Sequence, residues 1–475
     1  MDSEHRQDAD ATWHWLPAND PNKSKRWYDP NSDFNFSFSA FQHVSLFPRL
    51  PMKILLTGIC GFAGSVIARG LLEHVSGLQI IGLDNLCRRG SETNLEPLRA
   101  LGIDIRLGDI RNEDDIASLP RADWVVDCAA NPSVLAGVDG KTSAKELLDH
   151  NLGGTIHLLE YCRRHGAGFL LLSTSRVYSI KPLADLPVEV RDDAFHPVFA
   201  LNSQPSSITP AGLTESFPTD PPVSLYGTSK KCSELLALEY GSTFEFPVRI
   251  NRCGVLAGAG QFGKADQGIF SYWIHSWAAR RPLKYIGFGA KGHQVRDCLH
   301  PRDLIPLLLK QMTGRPPPEA QETQNRINEG PPSAKDQSRA PDAQIDSSLS
   351  SLVPVESPVV SAGRNPREVA NQTTPAIVNV SGGANSRMSL AQLSRWCADR
   401  FGPHPSFPPA PDLVSSCPPS SKTSESRPFD IPWMVLDSAL AKESWNWQPA
   451  TPIGDVLEEI AQHVGQHPHW LDLVS

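Results

Sequence analysis

From Met52 onward, short apolar runs alternate with segments of helical periodicity. The candidate strands are residues 53–57, 79–84, 104–107, 124–128, 169–173 and 247–251, and the first helix is predicted at 65–74. Short runs that are apolar throughout are typical of strands buried on both faces of a parallel sheet. The pattern therefore predicts an α/β protein with a doubly wound parallel sheet.

The pattern is interrupted in the second half of the chain. Residues from about 313 to 376 are rich in Pro, Ser, Gln, Ala and charged residues and contain no aromatic residue. They cannot bury enough apolar area to offset their ordering entropy, so we expect a disordered insertion. A strand and turn at 377–383 and a helix at 389–401 follow, and then a second Pro/Ser-rich loop at 404–428.

Composition narrows the class of protein. The 475 residues are 40% hydrophobic and 20% charged, enough for one large or two moderate globular domains. The net charge of -8 argues against a nucleic-acid partner, since such proteins carry a basic surface. No run reaches the roughly 18 apolar residues of a membrane span, and no signal peptide is recognisable. Nine cysteines show neither C-x-x-C pairs nor zinc spacing, so we expect reduced thiols, no metal site and a cytoplasmic protein.

A glycine-rich turn, Gly58-Ile-Cys-Gly61-Phe-Ala-Gly64, joins the first strand to the first helix. A backbone without side chains lets a pyrophosphate reach the amides at the helix N-terminus, although close packing is an alternative reason for glycine. Asp84 ends the next strand, where a carboxylate accepts from both ribose hydroxyls and repels a ribose phosphate. Together they predict a Rossmann-type dinucleotide site that prefers NAD to NADP, although Arg88 and Arg89 offer cations to a phosphate.

Tyr226 and Lys230 lie four residues apart, on one face of a predicted helix. A phenol titrates near pH 10, too high for a base at neutrality. A positive charge about 4 Å away, at an effective dielectric of about 20, is worth roughly 4 kcal/mol, or about three pKa units. Lys230, helped by an oxidised nicotinamide ring, is therefore expected to hold Tyr226 partly ionised as the base of a hydride-transfer reaction.

Two further polar residues close predicted strands. Thr174 follows the fifth strand, at the edge of the sheet where ligands bind, and its hydroxyl is expected to bind a substrate oxygen beside Tyr226. A threonine at a strand end is more often a local cap, which is the alternative. Asp109 closes the third strand, where it would accept from an adenine amino group or cap a helix over 112–119.

These motifs together resemble the extended short-chain dehydrogenase/reductases of the nucleotide-sugar epimerase and dehydratase family. The resemblance is carried by Gly58-x-x-Gly61-Phe-x-Gly64, Asp84-Asn-Leu, Gly108-Asp-Ile, Asn151-x-Gly-Gly-Thr155, Ser173-Thr174 and Tyr226-x-x-x-Lys230. It implies NAD as the cofactor and Thr174, Tyr226 and Lys230 as the catalytic residues. The cofactor-binding residues that it implies are Gly58, Gly61, Phe62, Gly64, Asp84, Asn85, Asp109, Ile110, Ala129, Tyr226 and Lys230.

Three segments resemble more closely the CDP-paratose 2-epimerases, also called CDP-tyvelose epimerases. They are residues 84–90, 260–268 and 292–300. This resemblance implies a CDP-linked sugar as substrate, with Gln261 in the loop that forms the sugar site and Arg296 on the nucleotide diphosphate. A guanidinium is a planar fork suited to a diphosphate, and a surface arginine is the alternative. Relatives are often dimers or higher oligomers, so we expect a homo-oligomer.

The same resemblance divides the chain. Residues 1–51 are expected to be a disordered or untranslated extension, since Met52 is a candidate start, with a docking or dimer-bracing arm as the alternative. The NAD-binding domain is expected at 52–312, with substrate-binding segments at about 183–222 and 252–286. Residues 377–475 are expected to complete a smaller, discontinuous C-terminal substrate domain. Trp273 and Trp277 are expected in the core rather than in a base-stacking platform.

The two positions after Thr174 distinguish reactions within the family. Relatives that eliminate water place Asp-Glu there, as an acid and a base, whereas this chain has Ser175-Arg176. We therefore expect an epimerase that oxidises a sugar carbon to a keto group and reduces it again on the opposite face, at carbon 2 of a CDP-linked dideoxyhexose. The alternatives are a 4-epimerase or 4-keto reductase on a UDP, GDP or dTDP sugar, and a non-catalytic NAD-binding sensor.

Overall fold

The computed structural model describes residues 52–138, 140–198, 207–314, 374–407 and 428–474. Its strands are β1 Lys53–Thr57, β2 Gln79–Asp84, β3 Asp104–Leu107, β4 Trp124–Asp127, β5 Gly168–Thr174, β6 Val188–Arg191, β7 Ala194–Pro197, β8 Ile208–Thr209, β9 Gly212–Leu213, β10 Val248–Cys253, β11 Val255–Leu256, β12 Val295–Leu299, β13 Ile377–Val380, β14 Arg387–Ser389 and β15 Trp433–Met434. The predictions for 1–51, and for most of 313–376 and 404–428, lie outside the described residues.

Helices connect and cover these strands. They are α1 Phe62–His74, α2 Leu95–Ala100, α3 Glu113–Ala117, α4 Ala144–Leu148, α5 Gly154–His165, α6 Ile180–Ala184, α7 Ser224–Thr243, α8 Ile269–Ala278, α9 Leu304–Thr313, α10 Leu390–Phe401, α11 Ala439–Trp445, α12 Ile453–Gln466 and α13 Trp470–Val474. A π-helical turn, Asp149–Gly153, joins α4 to α5.

A seven-stranded sheet lies at the centre, in the order β13-β10-β5-β4-β1-β2-β3. Every neighbouring pair of its strands is parallel. The six predicted strands are confirmed, with small differences at their ends. The later strand β13 joins them at the edge of the sheet, where Ile377 is aligned with Ile250 of β10.

Helices cover both faces of this sheet, as the apolar pattern predicts. Ile54 and Leu56 of β1 are fully buried in one apolar cluster with Ile67 of α1. Leu55, between them, is buried in a second cluster with Leu158 of α5. Successive side chains of a strand point to opposite faces, and here each face meets a helix. The strand sequences are therefore apolar throughout instead of alternating.

A smaller sheet is built from separate parts of the chain. β12 pairs with β11, β14 and β15, and the apolar cluster beside it includes residues of α8, α10 and α12. The smaller, discontinuous C-terminal substrate domain that the sequence predicts stays a prediction. Trp273 and Trp277 of α8 are each 2% exposed, which confirms their place in the core.

The role of the segment 183–222 in substrate binding stays a prediction. Its described residues include two short hairpins, β6 with β7 and β8 with β9. Leu183 and Leu213 are fully buried in a cluster with Trp433 and Leu436. None of the described residues of this segment lines the large cavity beside the central sheet. The reason is that its apolar side chains pack beneath β15.

Among the described helices, none combines the length and the apolar character that crossing a bilayer requires. The described cysteines are all free thiols. Within the same residues, no group of His, Cys, Asp or Glu side chains is arranged to bind a metal ion.

Candidate active site

A cavity of about 780 Å³ opens at the carboxyl ends of β1, β2, β4, β5 and β10. Open α/β sheets bind ligands at this edge, and the volume is in the range of ligand cavities. The predicted site residues that line it are Gly58, Gly61, Phe62, Gly64, Asp84, Asn85, Ala129, Thr174, Tyr226, Lys230, Gln261 and Arg296. Ile110 lines a small adjoining recess with His150, and Asp109 lines neither space.

The three glycines of the β1–α1 turn are required by close packing. Gly58 has a φ of +62°, and an added Cβ there would lie 2.9 Å from Cα of Ala129. A Cβ on Gly64 would overlap the carbonyl oxygen of Gly58. Packing alone therefore accounts for these glycines, so the case for a dinucleotide depends on other features of the site.

One such feature is the open N-terminus of α1. Gly61 is its N-cap residue, no side chain caps the helix, and the first turn carries no acidic residue. The first amides of a helix have no partner within the helix, and together with the helix dipole they attract an anion. Because this terminus faces the cavity, it fits the pyrophosphate of a dinucleotide.

Asp84 supplies the second feature. Its carboxylate accepts hydrogen bonds from the backbone N–H of Cys60 at 2.9 Å and of Leu86 at 2.8 Å. Burial raises its pKa, and these backbone bonds oppose the rise. The bonds fix the carboxylate at the cavity wall, and the remaining lone pairs of its oxygens suit the hydroxyls of a ribose.

Asp109 has a different place from the one expected. Its carboxylate binds Arg111 Nη2 at 2.7 Å and Asn85 Nδ2 at 2.8 Å, and Arg111 holds the pKa of this carboxyl well below its usual range. The alternative as a helix cap is wrong, because Asn112 caps α3 by accepting from the N–H of Asp114. Asp109 therefore acts on the cavity through Asn85, which lines it.

Thr174 and Tyr226 meet in the cavity. Thr174 accepts a hydrogen bond from the N–H of Arg176 at 3.2 Å, so it also has the capping role of the alternative. Burial raises the pKa of Tyr226, while a hydrogen bond with Thr174 and the charge of Arg176 lower it. Burial outweighs these two opposing contributions, and the expectation that Lys230 lowers this pKa stays a prediction.

Lys230 is only 2% exposed. No hydrogen bond or ion pair joins its ammonium group to another of the described residues, although its charge acts on the nearby thiols of Cys128 and Cys253. An ammonium group on a cavity wall without a protein acceptor is suited to a ligand that provides one. The hydroxyls of a nicotinamide ribose are acceptors of this kind.

The helix that carries Tyr226 and Lys230 is held by a polar network that the sequence did not reveal. Asn151 Nδ2 donates to Ser229 Oγ at 3.1 Å and to the carbonyl of Asn131 at 3.1 Å, and Asn151 Oδ1 accepts from the N–H of Asn131 at 2.8 Å. Asn151 is 2% exposed, within the π-helical turn before α5. The only hint of this network in the sequence was the motif that contains Asn151 and Thr155, because it places polar residues among apolar ones.

The two predicted substrate-binding residues, Arg296 and Gln261, lie on the cavity wall. Some of their polar atoms form hydrogen bonds within the protein. Arg296 donates to the carbonyls of Val295 at 2.7 Å and Ile431 at 3.0 Å and lies 3.7 Å from a carboxylate oxygen of Asp430. The alternative of an ordinary surface arginine is wrong, because its side chain is 16% exposed. Gln261 donates to the carbonyl of Leu256 at 2.7 Å, and its Oε1 is buried without a protein partner.

Other residues on the cavity wall were not predicted as site residues. Arg88 and Phe262 face each other there, and the Arg88 guanidinium donates to the Phe262 carbonyl. Ser91 is 1% exposed, and its hydroxyl has no protein partner. Arg176 also lines the cavity beside Tyr226. The available signal in the sequence was that Arg176 stands two positions after Thr174, where the dehydratases that the chain resembles have an acidic residue.

Comparison with known proteins agrees with this geometry. A family model described as "NAD dependent epimerase/dehydratase family" matches residues 54–321, more than half of the chain. The chain belongs to this family. It is therefore an NAD-dependent enzyme of the extended short-chain dehydrogenase/reductase type, and its cofactor is NAD. The uncapped terminus of α1, the fixed Asp84 carboxylate and the unpaired Lys230 ammonium all fit that cofactor.

Similar curated proteins include two epimerases. A CDP-paratose 2-epimerase of Salmonella typhi is 31% identical over 273 residues, which cover 54% of this chain and 73% of the relative. A probable UDP-glucuronate 4-epimerase of Rhizobium meliloti is 24% identical over 285 residues, covering 58% of this chain and 71% of the relative.

Solved structures share the fold. A UDP-glucuronic acid 4-epimerase from Bacillus cereus, in complex with UDP-glucuronic acid and NAD, aligns with a TM-score of 0.57 at 19% identity over 87% of this chain and 99% of that chain. A dTDP-glucose 4,6-dehydratase from Streptomyces venezuelae aligns with a TM-score of 0.60 at 22% identity, over 89% of this chain and 100% of that chain.

Proposed function

We propose that this protein is a nucleotide-sugar 2-epimerase that acts on a CDP-linked dideoxyhexose. The observation that carries the proposal is that Thr174, Tyr226 and Lys230 line one cavity at the carboxyl edge of the central sheet. The similarity to a CDP-paratose 2-epimerase supports the choice of nucleotide and of carbon atom.

Tyr226 is the acid–base residue of the proposed reaction. Its phenolate accepts the proton of the sugar hydroxyl when the carbon is oxidised, and the phenol returns that proton to the keto oxygen when the carbon is reduced. The protons balance over one cycle, so no net acid or base is consumed. Such a proton transfer typically contributes 10²- to 10⁴-fold, or roughly 3 to 5.5 kcal/mol of the barrier.

The neighbours of Tyr226 prepare it for this step. Thr174 lines the cavity with Tyr226 and has the role of orienting the sugar hydroxyl. Arg176 contributes the positive charge that favours the phenolate and offsets part of the effect of burial. Lys230 holds the cofactor by its ribose. When bound, NAD would supply the hydride acceptor for the oxidation of the sugar carbon and the hydride donor for its reduction.

The residues after Thr174 favour epimerisation over dehydration. Elimination of water needs an acid for the leaving hydroxyl and a base for the neighbouring proton. The two positions after Thr174 hold a buried serine, Ser175, and a cationic arginine, Arg176, which lines the cavity. Neither side chain has a carboxyl group. Oxidation and reduction at one carbon require only the group that Tyr226 provides.

Proton NMR of the purified enzyme with CDP-, UDP-, GDP- and dTDP-hexoses tests the proposal. We expect a new epimer only from the CDP-linked dideoxyhexose, with inversion at carbon 2. In deuterated water, carbon 2 of the product should carry no deuterium, because the hydride that leaves is the one that returns. Turnover of a UDP sugar with inactive CDP sugars contradicts the proposal, and so does deuterium at carbon 2.

A further inference from the structure

The last described residues, 467–474, which we call the strap, pack against the wall of the cavity. Trp470, Leu471 and Val474 are between 0% and 8% exposed and form an apolar cluster with Phe262. The rings of Trp470 and Phe262 stack with centroids 5.8 Å apart, and Trp470 Nε1 donates to the carbonyl of Gln261 at 2.9 Å. The strap therefore holds the loop that contains Gln261 and Phe262.

The strap also contacts the loop that follows β2. Gly90 has a φ of +97°, and an added Cβ there would lie 2.6 Å from Val474 Cγ1 and 2.9 Å from Phe262 Cδ1. The carbonyl of Asp472 accepts from Arg89 Nη2 at 3.4 Å. The carboxylate of Asp472 binds Arg281 at 2.5 Å, which ties the strap to the end of α8.

The two loops held by the strap meet beside the cavity. The guanidinium of Arg88 donates to the carbonyl of Phe262, and both residues line the cavity. One loop begins at Asp84, beside the proposed ribose position, and the other begins at Gln261, beside the proposed sugar position. The junction therefore forms the part of the cavity wall at which the two loops are joined.

We propose that the strap is a positioning element that keeps the Arg88–Phe262 junction closed and thereby retains NAD between turnovers. Trp470 is its central residue, because it combines the ring stack with the hydrogen bond to Gln261. The proposal rests on the placement of NAD in the cavity and is independent of which sugar is turned over. An epimerase of the proposed kind regenerates its cofactor in each cycle, so slow release of NAD serves its reaction.

The rate of NAD release from the purified holoenzyme tests this proposal without any sugar substrate. Trp470→Ala should release NAD about tenfold faster, because it removes an aromatic stack and a hydrogen bond from the junction. Trp470→Phe, which keeps the ring and loses the donor, should lie between this variant and the wild type. Leu473→Ala is the matched control in the same helix, since Leu473 is 40% exposed, and should release NAD at the wild-type rate.

Activity gives a second measurement. With saturating NAD, Trp470→Ala should recover the wild-type kcat, while the concentration of NAD needed for half-maximal rate rises. The proposal is overturned if both Trp470 variants release NAD at the wild-type rate. It is also overturned if Leu473→Ala accelerates NAD release as much as Trp470→Ala does. If Trp470→Ala does not fold, the release rate of Trp470→Phe decides in the same way. Failure of every CDP sugar in the NMR assay leaves these release rates unaffected, so the two proposals fail separately.

Discussion

Asn151 Nδ2 lies 3.1 Å from Ser229 Oγ, and this hydrogen bond ties the π-helical turn before α5 to the residue that precedes Lys230. The same amide spans to the backbone of Asn131, which follows β4. Two sheet connections thus fix the helix that carries the proposed catalytic pair. The polar network therefore acts together with the apolar packing of α7 in fixing where Tyr226 and Lys230 lie.

Replacing Asn151 by Leu should therefore reduce both activity and stability. The change leaves two backbone groups of the half-buried Asn131 without these partners, which costs at most about 1–3 kcal/mol for each group. We expect a lower melting temperature and a fall in kcat, measured by thermal unfolding and the epimerase assay. Ser118→Ala is the control, because it removes an exposed hydroxyl bond to the Asp115 carbonyl. Wild-type kcat in the Asn151 variant would show that the network does not position the site.

Tyr226→Phe separates an enzyme from a non-catalytic NAD sensor. The variant keeps the ring and loses the hydroxyl that exchanges the proton, so turnover should fall by about 10²-fold or more while NAD retention stays near wild type. Bound NAD is measured by its absorbance after release, and turnover by NMR. Tyr240→Phe is the matched control on the same helix, since the Tyr240 hydroxyl donates to Glu160 and does not line the cavity. Equal activity in the two variants would favour the sensor.

Arg176→Gln should move the pH profile of kcat. The positive charge of Arg176 favours the phenolate and lowers the pKa of Tyr226, so its removal raises that pKa. The activity that requires phenolate then appears at higher pH than in the wild type. Arg176→Lys keeps the charge and should shift the profile much less. An ultraviolet titration of tyrosinate, with the Tyr226→Phe signal subtracted, measures the same shift directly, and an unchanged titration curve in Arg176→Gln contradicts this role.

Gly64→Ala should destabilise the protein and weaken NAD binding. The added methyl group overlaps the carbonyl of Gly58, and such overpacking costs typically about 1–3 kcal/mol. Gly454→Ala in α12 is the control, because nothing lies within 4 Å of its added Cβ. There we expect a gain of roughly 0.5–1 kcal/mol from helix propensity. Chemical denaturation measures the stability of both variants, and NAD titration measures their affinity for the cofactor. Equal stabilities of Gly64→Ala and Gly454→Ala would refute the expected difference.

Acid should destabilise the fold through buried histidines. Burial lowers the pKa of His275 and His300 to about 3 and that of His463 to about 4. The unfolded chain binds these protons near the ordinary pKa of about 6.5, so stability is full above that pH, falls as pH drops towards about 4 and 3, and then levels. His463→Gln should flatten the decline in melting temperature. His469→Gln, at a side chain 90% exposed, should not, and equal slopes would contradict the assignment.

The central strands could be predicted because each face of the sheet meets a helix and the strands are apolar throughout. The hairpins β6–β9 could not, since strands of two to four residues give no clear period and their register depends on Trp433 and Leu436, which are distant in sequence. The cavity residues near the motifs were predicted by the same local signals. The strap could not be predicted because its role depends on a contact with Phe262, which lies about two hundred residues earlier in the chain. No local sequence pattern encodes that contact.

The edge strand β13 has a consequence for how related chains can differ. Its partner β10 lies far earlier in the sequence, with Ile250 aligned to Ile377. The entropy of closing such a connection grows only logarithmically, by about 0.6 kcal/mol for each doubling of its length. Extra residues inserted between the end of α9 and the start of β13 should therefore weaken the fold very little, so we expect the length of this part of the chain to vary among related chains.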